Sequence, residues 1–271
     1  MTVWFITGTS RGLGREFAIT ALERGDLVAA TARNLGDLDD LAEKYGPAVL
    51  PLRLDVTDRA AAFAAVERAH DHFGRLDVVV NNAGCGQYGF VEELSETELR
   101  AQMDINFFGA VWITQAALPY LRAQRGGHLI QVSSIGGVTA FPNLAGYHAS
   151  KWALEGFSQS LAQEVAPFGI NVTIVEPGGF STDWVGSAQQ ADRLPAYAAE
   201  HAKFERARTR RMTRMGLPEA AGSALLRVVD SADPPLRVFF GEAPLGVATA
   251  EYRGRLALWE QWQPVAVAAQ G

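Results

Sequence analysis

Cysteine is nearly missing from this chain: Cys85 is the only one in 271 residues, which excludes an internal disulfide and any site built from several thiolates. Cys85 itself reads as a small loop residue. No apolar run reaches the roughly 18 residues needed to span a bilayer, and Met1 leads straight into VWFITG without a cationic leader or cleavage site. A soluble, cytoplasmic protein with no membrane partner is therefore expected. Positive charge is also short. The 24 Lys and Arg face 30 Asp and Glu, giving a formal net charge of -6 and a pI of about 5.4, so attraction to a phosphate backbone is not supported and no nucleic acid partner is expected. The five histidines, His70, His72, His128, His148 and His201, form no helical metal motif with a glutamate. His70 and His72 stand two apart, point to different faces of a helix and are read as solvated; no metal is expected.

What is present is ordinary in proportion, with 48% hydrophobic and 20% charged residues, and the length suits one large α/β domain, residues 1–271, rather than two. Apolar runs and turn signals alternate strand and helix over most of the chain. That rhythm predicts a doubly wound, Rossmann-like parallel sheet of seven strands with helices on both faces. Strands are expected over 3–7, 27–32, 49–54, 78–81, 128–132, 171–176 and 237–240, and helices over about 12–24, 35–45, 59–73, 96–122, 147–167 and 218–230. Asp58 is an expected N-cap, Pro119 predicts a bend, and Gly169 ends the fifth helix. Between about 182 and 217 the rhythm breaks at a segment of the kind that forms a substrate lid. Its basic run, Arg206, Arg208, Arg210, Arg211 and Arg214, reads as a solvated helical face or as a site for an anionic group. A helical tail from about 245 to 271 carries Tyr252, Trp259 and Trp262; the stripe of Leu256, Trp259 and Gln263 is expected to pack on the domain or on a sister subunit.

Three motifs carry chemistry. In YHASK, Tyr147 and Lys151 are four apart and fall on one helical face, and Ser134 of QVSS lies thirteen residues earlier. An ammonium beside a phenol lowers its pKa. A proton donor, a cation that tunes it and a hydroxyl that positions an oxygen together suit reduction of a carbonyl or oxidation of an alcohol. The first strand runs into TGTSRGLG, with Gly8, Ser10, Arg11, Gly12, Leu13 and Gly14. Glycines let a backbone turn tightly against a pyrophosphate, and the following helix offers free amides. The spacing, GxxxGxG, differs from the GxGxxG of other dinucleotide folds but occupies the same place between strand and helix. At the end of the second strand, where an acid would bind the ribose 2'-hydroxyl of NAD, the chain reads TARN. Arg33 there, with Arg11, favours a 2'-phosphate, so the expected cofactor is NADP(H).

The glycine loop, Asp55 in LDV, NNAG at 81–84, Asn106, Ser134, YHASK and PGG at 177–179 stand in the order and spacing of the short-chain dehydrogenase/reductase family, which the chain resembles from about Thr2 to Phe240. The resemblance implies an NAD(P)-dependent oxidoreductase in which Tyr147 is the acid/base. Lys151 would lower its pKa and bind the nicotinamide ribose, Ser134 would orient the carbonyl, and Asn106 would support a water relay behind Lys151. Asp55 and Val56 would flank the adenine. Asn82, Ala83 and Gly84 would line the cofactor cleft, and the run Pro177, Gly178, Gly179 to Thr182 would hold the nicotinamide amide. Ser133 should point away from Ser134. Homodimers or homotetramers through the long fourth and fifth helices are also implied, with Phe107, Phe108, Trp112 and Phe157 packing there or in the core.

The substrate pocket is expected to be apolar and aromatic, from Gln87, Tyr88, Phe90, Phe141, Pro142, Phe180 and Trp184, favouring bulky hydrophobic carbonyls. A carbonyl or alcohol is thus the expected small-molecule partner, and the branch resembled is the NADP-preferring ketoreductases. Two alternatives stand beside this reading: a dinucleotide-sensing regulator without turnover, which should have lost part of the Ser-Tyr-Lys set, and a lyase or isomerase on the same scaffold.

Overall fold

A computed structural model describes residues 1–182, 188–212 and 215–271, the side chains of 210–212 excepted. The strand β1 (Val3–Ile6) is buried along its whole length, as a central parallel strand covered on both faces must be. Six more strands join it: β2 (Leu27–Ala32), β3 (Val49–Arg53), β4 (Val78–Asn81), β6 (Gly127–Val132), β7 (Ile170–Pro177) and β9 (Arg237–Phe240). All pair in parallel in the order β3-β2-β1-β4-β6-β7-β9. The seven expected strands are all present, in one Rossmann-like domain. Two short strands, β5 (Gln87–Tyr88) and β8 (Gln189–Gln190), pair separately; being two residues long, they carry no periodicity to read.

Strand order reverses between β1 and β4, and the crevice at that switch is where such sheets bind ligands. The helices that cover the sheet are α1 (Gly12–Glu23), α2 (Asp39–Tyr45), α3 (Arg59–Phe73), α5 (Gly109–Gln124), α6 (Ala145–Val165) and α8 (Pro218–Val229). One core lies under α3, α5 and α6, with Val66, Ile113, Leu121 and Leu161 against Phe5 and Leu129. The other lies under α1, α2 and α8, where Phe17, Leu41 and Leu225 meet Trp4, Ile6 and Ile130. Each such side chain contributes about 1.5–3 kcal/mol on burial. Gly222 lets α8 approach α1, since a Cβ there would strike Thr20 and come within 3.0 Å of the Glu16 carbonyl.

Asp58 caps α3 as expected, accepting from Ala61 N at 3.0 Å, and Gly169, at φ 73, closes the turn after α6. The expected helix over 96–122 is not continuous. It is α4 (Glu96–Met103), a π-helical turn Asp104–Phe108 and α5, which runs on through Pro119 to Gln124. His70 also departs from expectation: its ring stacks on Tyr120 with centroids 4.2 Å apart, while His72 is exposed. The 182–217 segment, expected as a lid, carries α7 (Ala198–Met212), and the tail is α9 (Ala243–Ala268). Only Pro244 and Ala248 of α9 are buried. Leu256 and Trp259 are 52% and 60% exposed, so the expected stripe does not pack on the domain. Arg210, Arg211 and Arg214 of the basic run, and Trp184, lie outside what is described. No helix among the described residues is long and apolar enough to cross a membrane.

Candidate active site

Gly8, at φ 72, turns the chain after β1. Gly14 cannot be replaced at this spacing, because a Cβ would strike the Asn82 amide and the Gly8 carbonyl. Asn82 holds the loop from the other side: its Nδ2 donates to Thr7 O at 2.9 Å and Gly8 O at 3.1 Å, while Thr7 Oγ1 accepts from Asn82 N and Ala83 N. The amides that open α1 are thereby left facing a cleft of about 1270 Å³. Gly8, Ser10, Arg11, Gly12, Leu13, Arg33, Asp55, Val56, Asn82, Ala83, Gly84, Pro177, Gly178, Gly179 and Thr182 all line it. Gly14 lies behind the wall, so its part is to let the loop close. Arg11 and Arg33 are exposed at the rim, and neither forms an ion pair with a described carboxylate. Asp55 closes a tight turn by accepting from Thr57 N and Oγ1. A glycine cradle over a helix start, a rim with two cations and a long cleft fit a dinucleotide.

At the far end of the same cleft stand Ser134, Tyr147 and Lys151. The Ser134 hydroxyl stands close enough to the Tyr147 phenol to lower its pKa, and it accepts from Gly136 N at 3.0 Å. Lys151 is buried and donates to Val132 O at 2.8 Å. Its Nζ lies 6.0 Å from the Tyr147 ring centroid. Here an expectation needs correcting. Burial pushes the Tyr147 phenol up to about 12, against the lowering by Ser134, and brings Lys151 down to about 8, opposed by the nearby Cys85 and Glu155. Desolvation thus dominates both groups, and the phenol stands above its ordinary value rather than below it. Ser133 turns the other way, as expected, toward Glu155.

Asn106 sits in the π-helical turn, a local unwinding that recurs at functional sites. Its Nδ2 donates to Cys85 O and Ser150 Oγ, both at 3.0 Å, and its Oδ1 accepts from Cys85 N at 2.8 Å. The side chain therefore clamps the Gly84–Cys85 backbone to α6. His148 is a residue the sequence reading passed over, although it stands beside Tyr147 in YHASK. Buried, with its pKa lowered by burial, it donates from Nδ1 to Gly136 O and accepts at Nε2 from Phe141 N, fixing the loop between Ser134 and Tyr147.

Of the expected substrate residues, Tyr88, Phe141 and Phe180 line the cleft beside Tyr147. Three do not. Gln87 is buried and donates to Glu98 Oε1 at 2.9 Å; Phe90 stacks on Tyr197 at 4.8 Å; Pro142 is exposed outside the cleft. Leu144, Phe204, Arg208 and Met215 complete the wall. Phe204 and Arg208 arrive on α7, which is fastened to the body by a buried pair: His201 Nε2 meets Glu93 Oε1 at 2.7 Å, and Glu93 also accepts from Leu194 N and Phe90 N. Although burial raises it, these donors hold the Glu93 carboxyl below its ordinary value. Among the described residues no group of His, Cys, Asp and Glu could hold a metal ion.

A dinucleotide cleft ending in a Ser-Tyr-Lys constellation defines the class of nicotinamide-dependent oxidoreductases. Residues 2–193 match the family model for short chain dehydrogenases, and the chain belongs to the short-chain dehydrogenase/reductase family. It is 42% identical over 270 residues to the oxidoreductase BOA17 of Botryotinia fuckeliana, covering 98% of each chain. It is 37% identical to the 3-ketodihydrosphingosine reductase of Bacteroides thetaiotaomicron, over 87% of this chain and 86% of that one. A crystal structure of a short-chain dehydrogenase from Streptomyces avermitilis superposes with a TM-score of 0.92 at 37% identity, covering 99% of this chain and all of the other. Solved structures of this fold have been obtained with NAD, NADH or NADP.

Proposed function

We propose that the protein is an NADPH-dependent reductase of ketones or aldehydes, acting on a bulky hydrophobic carbonyl. The observation that carries the reading is Ser134, Tyr147 and Lys151 brought together where the glycine-loop cleft meets an apolar and aromatic chamber. The bound dinucleotide supplies the hydride from C4 of its nicotinamide. Ser134 receives the carbonyl oxygen and orients it. The Tyr147 phenol, neutral at physiological pH with its pKa near 12, delivers its proton to that oxygen as negative charge develops there. Lys151, held by Val132 O, provides the nearby positive charge and donors for the ribose. Asn106 fixes the loop and helix that set the distance between them; the water relay expected of it rests on the resemblance alone. Arg11 and Arg33, with no acid at the end of β2, support NADP(H) over NAD(H).

Tyr88, Phe141, Leu144, Phe180, Phe204 and Met215 support a hydrophobic substrate, as does the likeness to a 3-ketodihydrosphingosine reductase. Loss of part of the Ser-Tyr-Lys set would have favoured a sensor, and all three residues share one cleft. Phe108, exposed on the π turn and stacked on Trp112 of α5, supports a homodimer or homotetramer, and the single cysteine supports a cytoplasmic setting. NADPH oxidation followed optically against a panel of ketones, aldehydes and sugars tests the proposal. Aryl and alicyclic ketones are expected to react best. Turnover confined to sugar phosphates or small hydroxy acids would overturn it.

A further inference from the structure

Arg208 stands out in the substrate chamber. Lys151, Arg11, Arg33 and Asp55 belong to the catalytic and cofactor ends of the cleft; beyond them, Arg208 is the charged side chain in a wall otherwise made of Tyr88, Phe141, Leu144, Phe180, Phe204 and Met215, among the described residues. It comes from α7, and its guanidinium lies over the Tyr88 ring, 5.9 Å from the centroid. Tyr88 in turn packs with Leu144 and Tyr147 in one buried cluster, so an aromatic ring links the cation to the reacting phenol.

Its charge is not cancelled by its neighbours. Glu205 meets Arg208 at 2.8 Å through Oε2, but the other oxygen of the same carboxylate meets Arg193 at 3.0 Å. Two guanidiniums share one carboxylate, and one positive charge remains. The other pairs on this segment, His201 with Glu93, buried between helix and body, and the exposed Lys203 with Glu200, each match charge within themselves and do not offset it. Arg208 is 31% exposed at its side chain, open enough to reach a ligand. A fork of donors on an apolar wall recognises a planar anion better than a neutral group.

We propose that Arg208 is a specificity residue, and that the preferred substrates are apolar ketones carrying a carboxylate remote from the carbonyl, which Arg208 receives while the carbonyl lies at Tyr147. The proposal rests on the reading of the cleft as a carbonyl-reducing site. It also accounts for the hydrophobic body of the chamber, which would hold the span between the two polar ends.

A matched pair of probes tests it: 4-phenylbutan-2-one and its ring carboxylate, 4-(3-oxobutyl)benzoate, reduced with NADPH at low and moderate salt. The native protein should favour the carboxylate by about tenfold or more in kcat/KM, the lower end for one charge-assisted contact, and less so as salt rises. Arg208→Gln should bring the ratio within about twofold of unity, and Glu205→Gln, which removes the competing carboxylate, should raise it. A ratio near one in the native protein, or a ratio unchanged in Arg208→Gln, overturns the proposal. If neither ketone is reduced, the carbonyl-reducing assignment fails instead. Calorimetric binding of the two probes to the NADP-saturated protein still judges Arg208: a carboxylate preference lost in Arg208→Gln upholds its role, and equal affinities reject it.

Discussion

In the proposed reaction, burial and proton transfer meet in one side chain, Tyr147. Its phenol is 8% exposed and its pKa is pushed up to about 12, which suits a group that must hold a proton until an alkoxide forms. Tyr147→Phe removes that proton and little else. Turnover should fall at least about a hundredfold, the typical worth of a placed acid, while NADPH affinity, measured by fluorescence titration, stays within a few-fold because the hydroxyl faces the substrate. Arg33→Asp should act at the other end of the cleft. A carboxylate repels the 2'-phosphate and accepts ribose hydroxyls, so an NADPH preference of roughly thirtyfold or more, worth about 2 kcal/mol, should vanish or reverse when kcat/KM is compared for the two cofactors. An unchanged ratio would mean that Arg33 does not meet the phosphate.

A third residue bears on stability rather than turnover. Glu176, at the end of β7, is almost fully buried; burial first, then the neighbouring Glu155, raise its pKa from 4.5 to about 8 against the pull of Arg237. Between those values the native state keeps a proton that the unfolded state has lost, so stability falls as pH rises from about 4.5 to about 8 and levels off above. The cost is on the order of a few kcal/mol. Glu176→Gln cannot ionise. It should gain stability over the native protein at pH 8.5 and gain little at pH 4.5 in urea denaturation; an equal difference at both pH values would show that the effect is packing alone.

At the scale of elements, α7 has few ties to the body, as its proposed part as a lid requires. Phe90 stacks on Tyr197 and meets His201 edge-on at 4.9 Å, β8 pairs with β5, and His201 closes on Glu93. His201→Phe keeps an aromatic edge against Phe90 but removes the donor. The helix bearing Phe204 and Arg208 should then open more often. KM for a bulky ketone should rise by roughly tenfold, the worth of one hydrogen bond to a charged group, with kcat changed less. Hydrogen exchange across 189–209 should quicken, and His201→Gln, which restores a donor, should recover part of both. If exchange is unaltered, the lid is held by its aromatic contacts.

For the whole molecule, the cleft joins both sides of the sheet's switch point, so its occupant ties the glycine loop, the β4 and β7 ends and α6 together. A ligand that binds only the folded state stabilises by about 2.7 kcal/mol at a hundredfold excess over its Kd. Saturating NADPH should therefore raise the melting temperature by roughly 5 °C or more for a chain of this size, and NADH at the same concentration should do less. Equal shifts would remove the case for NADP selectivity that rests on Arg11 and Arg33.

By itself the sequence determined the strand and helix alternation, the glycine loop and the Ser134, Tyr147 and Lys151 set, because these depend on short-range periodicity and fixed spacings that survive in one dimension. The same locality hid the π turn around Asn106, which only the pull of Cys85 and Ser150 on that side chain makes intelligible. Tertiary structure alone decided which aromatics line the cleft. Gln87 and Phe90 lie in the expected stretch, yet Glu98 and the lid residue Tyr197 take them up, while Phe204 and Arg208 reach the cleft from more than fifty residues beyond Tyr147. The acidity of Tyr147 was likewise out of reach. The motif puts a cation one helical turn away, but the pKa follows the burial of both groups, and burial is a property of everything packed around them.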